Sequence, residues 1–130
     1  MTMELGRKGR AETVVTPEKT AKTAGSGALD VFATPFMAAL MEEAAWTSIQ
    51  PYLEDGQGSV GIALKLTHDA ATPVGMKVWA ESTVTAINGR KVSFSITAYD
   101  ETGVIGTCDH QRAIIDNEKF FTRCQNKLNH

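Results

Sequence analysis

The run Thr34-Pro35-Phe36-Met37-Ala38-Ala39-Leu40-Met41-Glu42-Glu43-Ala44-Ala45-Trp46-Thr47-Ser48-Ile49 decides the architecture. From Phe36 to Ile49, ten of fourteen residues are apolar. A helix that is apolar nearly all round is buried inside a larger structure, not laid on its surface. Thr34 is the expected N-cap, and Pro35 suits the first helical position, where its missing N–H costs nothing. Pro51 helps to end the helix. Glu42 and Glu43 fall in its middle, so at least one of them faces the interior or a cleft.

Downstream of this helix the pattern changes to period two, the mark of strands. Val60, Ile62, Leu64 and Leu66 are read as one face of a strand ending near His68, which Thr72-Pro73-Val74-Gly75 breaks. A second strand runs from about Met76 to Ile87. Asn88-Gly89 predicts a tight hairpin with positive φ at both central positions. Val92, Phe94, Ile96 and Ala98 line a third strand, Asp100-Glu101-Thr102-Gly103 turns the chain, and Val104 to Ile115 makes a fourth. Asp116 or Asn117 then caps a short helix in which Phe120, Phe121, Cys124 and Leu128 share a stripe, expected to pack over an open sheet end. Upstream, Ala11 to Val15 reads as an extended segment and Gly25-Ser26-Gly27 as the centre of a mobile loop. One long buried helix with an antiparallel meander curved around it satisfies both patterns. This α+β layout resembles the hotdog fold.

The chain has 130 residues, without repeats or long linkers, and is expected to form a single domain spanning 1–130. At 14.0 kDa, a compact monomer keeps roughly 6,700 Å² of surface. Thirteen basic against fifteen acidic side chains give a net charge of −2, which offers no basic field for nucleic acid. Arg7, Lys8 and Arg10, the one basic cluster, read as a solvated strand end. The first twelve residues lack the apolar core of a signal peptide, and no run approaches the ~18 apolar residues of a membrane span. A cytoplasmic protein with no membrane partner is expected. Cys108 and Cys124 have no ligand-spaced Cys or His nearby, and both are read as reduced, partly buried thiols, with no metal.

Three polar side chains stand where the pattern asks for something else: Thr34 at the mouth of the buried helix, Glu42 two turns further in, and His68 at the end of an apolar strand face. Each has a bland reading, as a helix cap, a solvent-reaching acid and a surface imidazole. Together, a hydroxyl, a carboxylate and an imidazole suit acyl transfer, in which a carbonyl is attacked and an oxyanion is stabilised.

The run Val31-Phe32-Ala33-Thr34-Pro35-Phe36-Met37-Ala38-Ala39-Leu40-Met41-Glu42, with Pro51-Tyr52-Leu53-Glu54, Ser59-Val60-Gly61 and Thr67-His68-Asp69-Ala70-Ala71-Thr72-Pro73, resembles the fluoroacetyl-CoA thioesterase family of hotdog proteins. Spacings of eight and then twenty-six residues between Thr34, Glu42 and His68 are those of the family. Ile105-Gly106, His110-Gln111-Arg112-Ala113 and Glu118-Lys119-Phe120 are similar to it as well. The resemblance covers about residues 28 to 121. It implies a homodimeric thioesterase acting on a short acyl-CoA, with no cofactor beyond the CoA of the substrate. Thr34, Glu42 and His68 are then the catalytic residues. Gly61, whose backbone N–H would face the thioester, and Phe32, Phe36 and Arg112 are the substrate-binding candidates. His110 and Arg112 also have a plainer reading, as a strand-end histidine and an exposed arginine; in the functional one, Arg112 meets a CoA phosphate. The family's fluoroacetate-specific member carries a phenylalanine-bearing lid before the motif. Counting back without gaps puts Ala28 and Gly25 at those aromatic positions, so a thioesterase not selective for fluoroacetyl-CoA is expected. The competing readings are a hydratase or dehydratase of acyl-CoA on the same fold, and a non-catalytic acyl-CoA-binding protein.

Overall fold

A computed structural model describes residues 3–129. Strand β1 (Lys8–Val14) is followed by a 3-10 turn (Pro17–Lys19), a short helix α1 (Ala21–Ala24) and the long helix α2 (Thr34–Ile49). Then come β2 (Gln57–His68), β3 (Lys77–Asn88), β4 (Lys91–Asp100), β5 (Gly103–Asp116) and α3 (Asn117–Gln125). The five strands form one antiparallel sheet in the order β1-β3-β4-β5-β2, with the N-terminal segment as an edge strand beside β3. Its concave face wraps α2. Met37, Leu40, Met41, Ala44, Ala45 and Ile49 of the helix meet Val78, Ala80, Val84, Val92, Phe94, Ile96 and Ala98 of the sheet, all of them buried. Gly9 lets β1 approach closely, because a β-carbon there would run into the Ala44 carbonyl and Ser48. No helix among the described residues is long and apolar enough to cross a membrane.

Several details differ from the expectations. Ala33, in extended conformation, is the N-cap of α2, and its carbonyl accepts from Phe36 and Met37 N–H. Thr34 therefore occupies the first helical position and Pro35 the second, and the Thr34 hydroxyl is free for another partner. The helix is not buried all round: Ala39, Glu43 and Trp46 form an exposed strip, with Trp46 41% exposed. A five-stranded sheet covers one side of a helix, and a single chain has nothing left for the other.

Val60 does not share a face with Leu64 and Leu66. Gly61 pairs with Arg112 and Ala63 with the adjacent Gln111, so Ile62 is an extra residue, a β-bulge that reverses the alternation of β2. In the β3–β4 hairpin the two-residue loop is Gly89-Arg90, and among its residues only Gly89 has positive φ (65°), the pattern of a type II′ turn. Asp116 caps α3 by accepting from Lys119 N–H at 3.2 Å. The apolar stripe of that helix does not pack: Phe120, Phe121 and Leu128 are exposed, as is Cys124, while Cys108 is buried.

Candidate active site

Helix α2 and strand β2 carry the site, and they bring its residues together in two groups. The first lies at the N-terminus of α2. Thr34 Oγ1 stands 2.7 Å from His68 Nδ1, at the end of β2. Phe32 is buried and meets the His68 ring edge-on, with centroids 6.4 Å apart. A cleft of about 220 Å³ opens over this pair, walled by Ala21, Ser26, Val31, Asp69, Ala70 and Ala71. Phe36 lies outside it and lines a neighbouring cleft with Glu12, Lys19 and Glu43. Burial pulls the His68 imidazole below its ordinary pKa, against the opposing pull of Asp69, so the ring is held neutral. Its Nε2 is buried without a hydrogen-bond partner among the described residues.

The segments that carry this pair are tied together. Phe32 N–H donates to the Thr72 carbonyl, and the buried Thr72 hydroxyl donates to Asp100 Oδ2 at 2.8 Å. Asp100 Oδ1 accepts from both the N–H and the hydroxyl of Thr102. Asp69 N–H donates to the Ile105 carbonyl at 2.7 Å. The loop after His68 is thus held at both ends.

The second group surrounds Glu42. Its carboxylate is partly exposed, and its Oε2 accepts from Arg112 Nη1 at 3.4 Å. Gly61 faces it so closely that a β-carbon would lie 2.5 Å from Oε2. The bulge at Ile62 makes this possible, because it returns Gly61 to the concave face. Glu43, the next residue of the helix, is exposed and points away from this group, lining the cleft with Phe36. Arg112 is buried, which corrects the expectation of an exposed arginine: Nε donates to Ser59 Oγ at 2.8 Å and Nη2 to the Ser59 carbonyl at 2.9 Å. His110 is buried too, and is not a surface histidine at a strand end. Ser59 is the member of this group that sequence reasoning passed over; His110 was weighed there beside a strand-end reading, and its burial was not foreseen. The signal was present, since Cys108, His110 and Arg112 fall in phase on one strand and the apolar Cys108 marks that face as interior.

Within one chain the two groups stay apart. Eight residues of helix separate Thr34 from Glu42, about 12 Å of axis. Seven residues of strand separate Gly61 from His68, about 20 Å. Cys108 offers no alternative nucleophile, because burial and the neighbouring Asp109 push its thiol up to about 11.

The family model described as fluoroacetyl-CoA-specific thioesterase, FlK, matches residues 15–118. The chain belongs to this family. A curated fluoroacetyl-CoA thioesterase from Streptantibioticus cattleyicolor is 37% identical over 96% of this chain and 94% of its own length. The crystal structure of a phenylalanine-to-alanine mutant of the fluoroacetyl-CoA-specific thioesterase FlK superposes with a TM-score of 0.92, at 38% identity over 98% of each chain. A thioesterase-superfamily protein of Thermus thermophilus is 30% identical, with a TM-score of 0.87 over 97% of this chain and 96% of the other. As an FlK-family member with the hotdog fold, the chain is a thioester hydrolase.

Proposed function

We propose that the protein is a cytoplasmic, homodimeric short-chain acyl-CoA thioesterase. Each active site would combine Thr34 and His68 of one copy with Glu42 and Gly61 of the other, with no metal or further cofactor. The observation that carries this reading is the Glu42 carboxylate: partly open, held by Arg112, and facing the only residue type with no side chain, at Gly61. The 12–20 Å between the two groups in one chain supports a site shared between copies. So does the surface: the chain exposes 7791 Å², against roughly 6,700 Å² for a compact monomer of its mass, and the excess includes Trp46 on α2 and Ile62 and Leu64 on the edge strand β2.

Glu42 attacks the thioester carbonyl or takes the proton of the water that does. The Gly61 N–H receives the oxygen as it becomes an oxyanion. The C–S bond breaks, water supplies the hydroxyl of the free acid, and CoA leaves as a thiolate that needs little help, since a simple thiol titrates near ~8.5. His68 and Thr34 orient the acyl group and move the proton. In this reading Arg112 positions Glu42, and its donors on Ser59 and Glu42 take the place of a CoA phosphate contact. Phe32 walls the acyl cleft.

The cleft beside Thr34 and His68 is walled mainly by small side chains, and Ala28 and Gly25 precede it. This supports a site that does not select for the fluorinated acyl group. The relatives are named for fluoroacetyl-CoA, so that ester belongs in the test. Thiol release from a panel of short acyl-CoAs should be seen with the wild type and fall by about 10²-fold or more in Glu42→Gln. A preference for fluoroacetyl-CoA over acetyl-CoA above ~10³-fold in kcat/KM, about 4 kcal/mol, would contradict the proposed breadth. Binding without thiol release, or hydration of an enoyl-CoA with the thioester intact, would replace hydrolysis by the other readings.

A further inference from the structure

His110 lies beside Arg112 and close to Gly61, on which a β-carbon would stand 3.3 Å from the ring Cε1, and its hydrogen bonds fix its chemical state. Arg112 Nη1 carries two hydrogens and no lone pair. It stands 3.4 Å from Glu42 Oε2 and 3.3 Å from His110 Nε2. Nε2 therefore presents a lone pair, and the ring hydrogen sits on Nδ1. There it meets the Ala63 carbonyl at 2.8 Å, which can only accept. Both contacts demand the same neutral tautomer. A second ring proton would set N–H against N–H at Nη1. The charged groups facing the ring among the described residues are Arg112 on its own strand and Glu42 on α2; β2 presents the Ala63 carbonyl and β4 the ring of Phe94, stacked at 5.7 Å. Burial, too, pulls the imidazole below its ordinary pKa, against the Ala63 carbonyl.

We propose that His110 is a positioning residue, which holds the Arg112 guanidinium against Glu42 through the lone pair of Nε2. Ser59 anchors one end of the guanidinium through Nε and Nη2, and His110 takes one hydrogen of Nη1. The remaining Nη1 hydrogen is thereby aimed at Oε2, so the carboxylate is held in one rotamer opposite Gly61. The proposal rests on Glu42 being the carboxylate that acts on the thioester.

The test compares His110→Phe, which keeps bulk and removes both contacts, with His110→Gln, whose amide oxygen restores an acceptor for Nη1. His110→Phe is expected to lower kcat by about tenfold or more at little change in KM, and His110→Gln to recover to within about threefold of wild type. A folded His110→Phe with wild-type kcat, or two variants that fall alike, would overturn the role. Nitrogen NMR of the histidine rings tests it without any substitution: a neutral Nδ1–H tautomer at pH 7 that persists below pH ~6.5 is expected, and an Nε2–H tautomer would overturn it. Full activity in Glu42→Gln would instead overturn the reading of Glu42 itself, and the ring tautomer would still report whether His110 holds Arg112.

Discussion

Gly61 and Glu42 face each other across the gap between β2 and α2 with no room for a methyl group: a β-carbon on the glycine would stand 2.5 Å from Oε2. Gly61 has no positive φ, so alanine is conformationally acceptable there and its effect is purely one of space. Gly61→Ala should fold with a melting temperature near that of the wild type. It should displace the carboxylate by about 1 Å and lower kcat/KM on the order of 10²-fold. Kinetics and calorimetry on the same preparation check this; a folded, fully active variant would show that this face of Glu42 is not used.

At the N-terminus of the helix, the Thr34 hydroxyl and His68 Nδ1 are 2.7 Å apart. Thr34→Ser keeps the hydroxyl and should stay within about threefold of wild-type kcat. Thr34→Val keeps the shape without the hydrogen bond and should lose about tenfold or more. Equal rates for the two would reduce Thr34 to a packing residue.

The pH dependence has a definite sign. Burial lowers the His68 pKa, so the ring stays neutral on passing below the ordinary value of 6.5. The acid limb of the kcat/KM profile is therefore expected below pH 6.5. In the same window the unfolded chain, whose histidines are not depressed, binds protons first, and stability falls as pH falls. An acid limb at or above 6.5 would show that the ring's pKa is not lowered in the working enzyme.

Asp100 accepts three hydrogen bonds, from Thr72 Oγ1, Thr102 Oγ1 and Thr102 N–H. Burial pushes its carboxyl up, and those hydrogen bonds pull it further down, to below the ordinary 3.8. Its contribution is thus complete above that value and is lost as pH falls through the folded-state pKa. Asp100→Asn should cost about 1–3 kcal/mol in urea unfolding at neutral pH. Because Thr72 also receives the Phe32 N–H, the same variant should loosen the segment leading to Thr34.

If the site is shared between copies, two dead variants can repair each other. Refolding Glu42→Gln together with His68→Ala should give mixed dimers in which one of the two sites has both residues intact, and about a quarter of wild-type activity overall. Light scattering should give twice the 14.0 kDa of one chain. A mixture as inactive as its components would assign all the chemistry to single chains.

The sheet and helix were legible because their patterns repeat: Val92, Phe94, Ile96 and Ala98 alternate cleanly and are all buried. The apolar run after Pro35 could only be a core helix, and the spacing of Thr34, Glu42 and His68 pointed to the family. What escaped were departures from regularity. Nothing local at Gly61-Ile62-Ala63 announces a bulge, because an extra β-branched residue in a strand looks like one more strand residue. The exposed strip of α2 and the unpacked stripe of α3 were read as buried on the assumption that apolar side chains find partners within their own chain. His110 and Arg112 carried, beside their functional readings, the plainer one of a strand-end histidine and an exposed arginine, although their phase with Cys108 placed them inside.

The extra residue at Ile62 gives β2 two phases. Before it the odd positions, Ser59 and Gly61, pair with the concave face of β5; beyond it the even positions, Leu64, Leu66 and His68, do so. A residue-by-residue substitution scan along this strand would therefore not trace one alternation of sensitive and tolerant positions but two, out of step by one. Removing Ile62 would bring them back into step by turning one half outward, so the common face of Gly61 and His68 depends on a single residue whose own side chain is exposed.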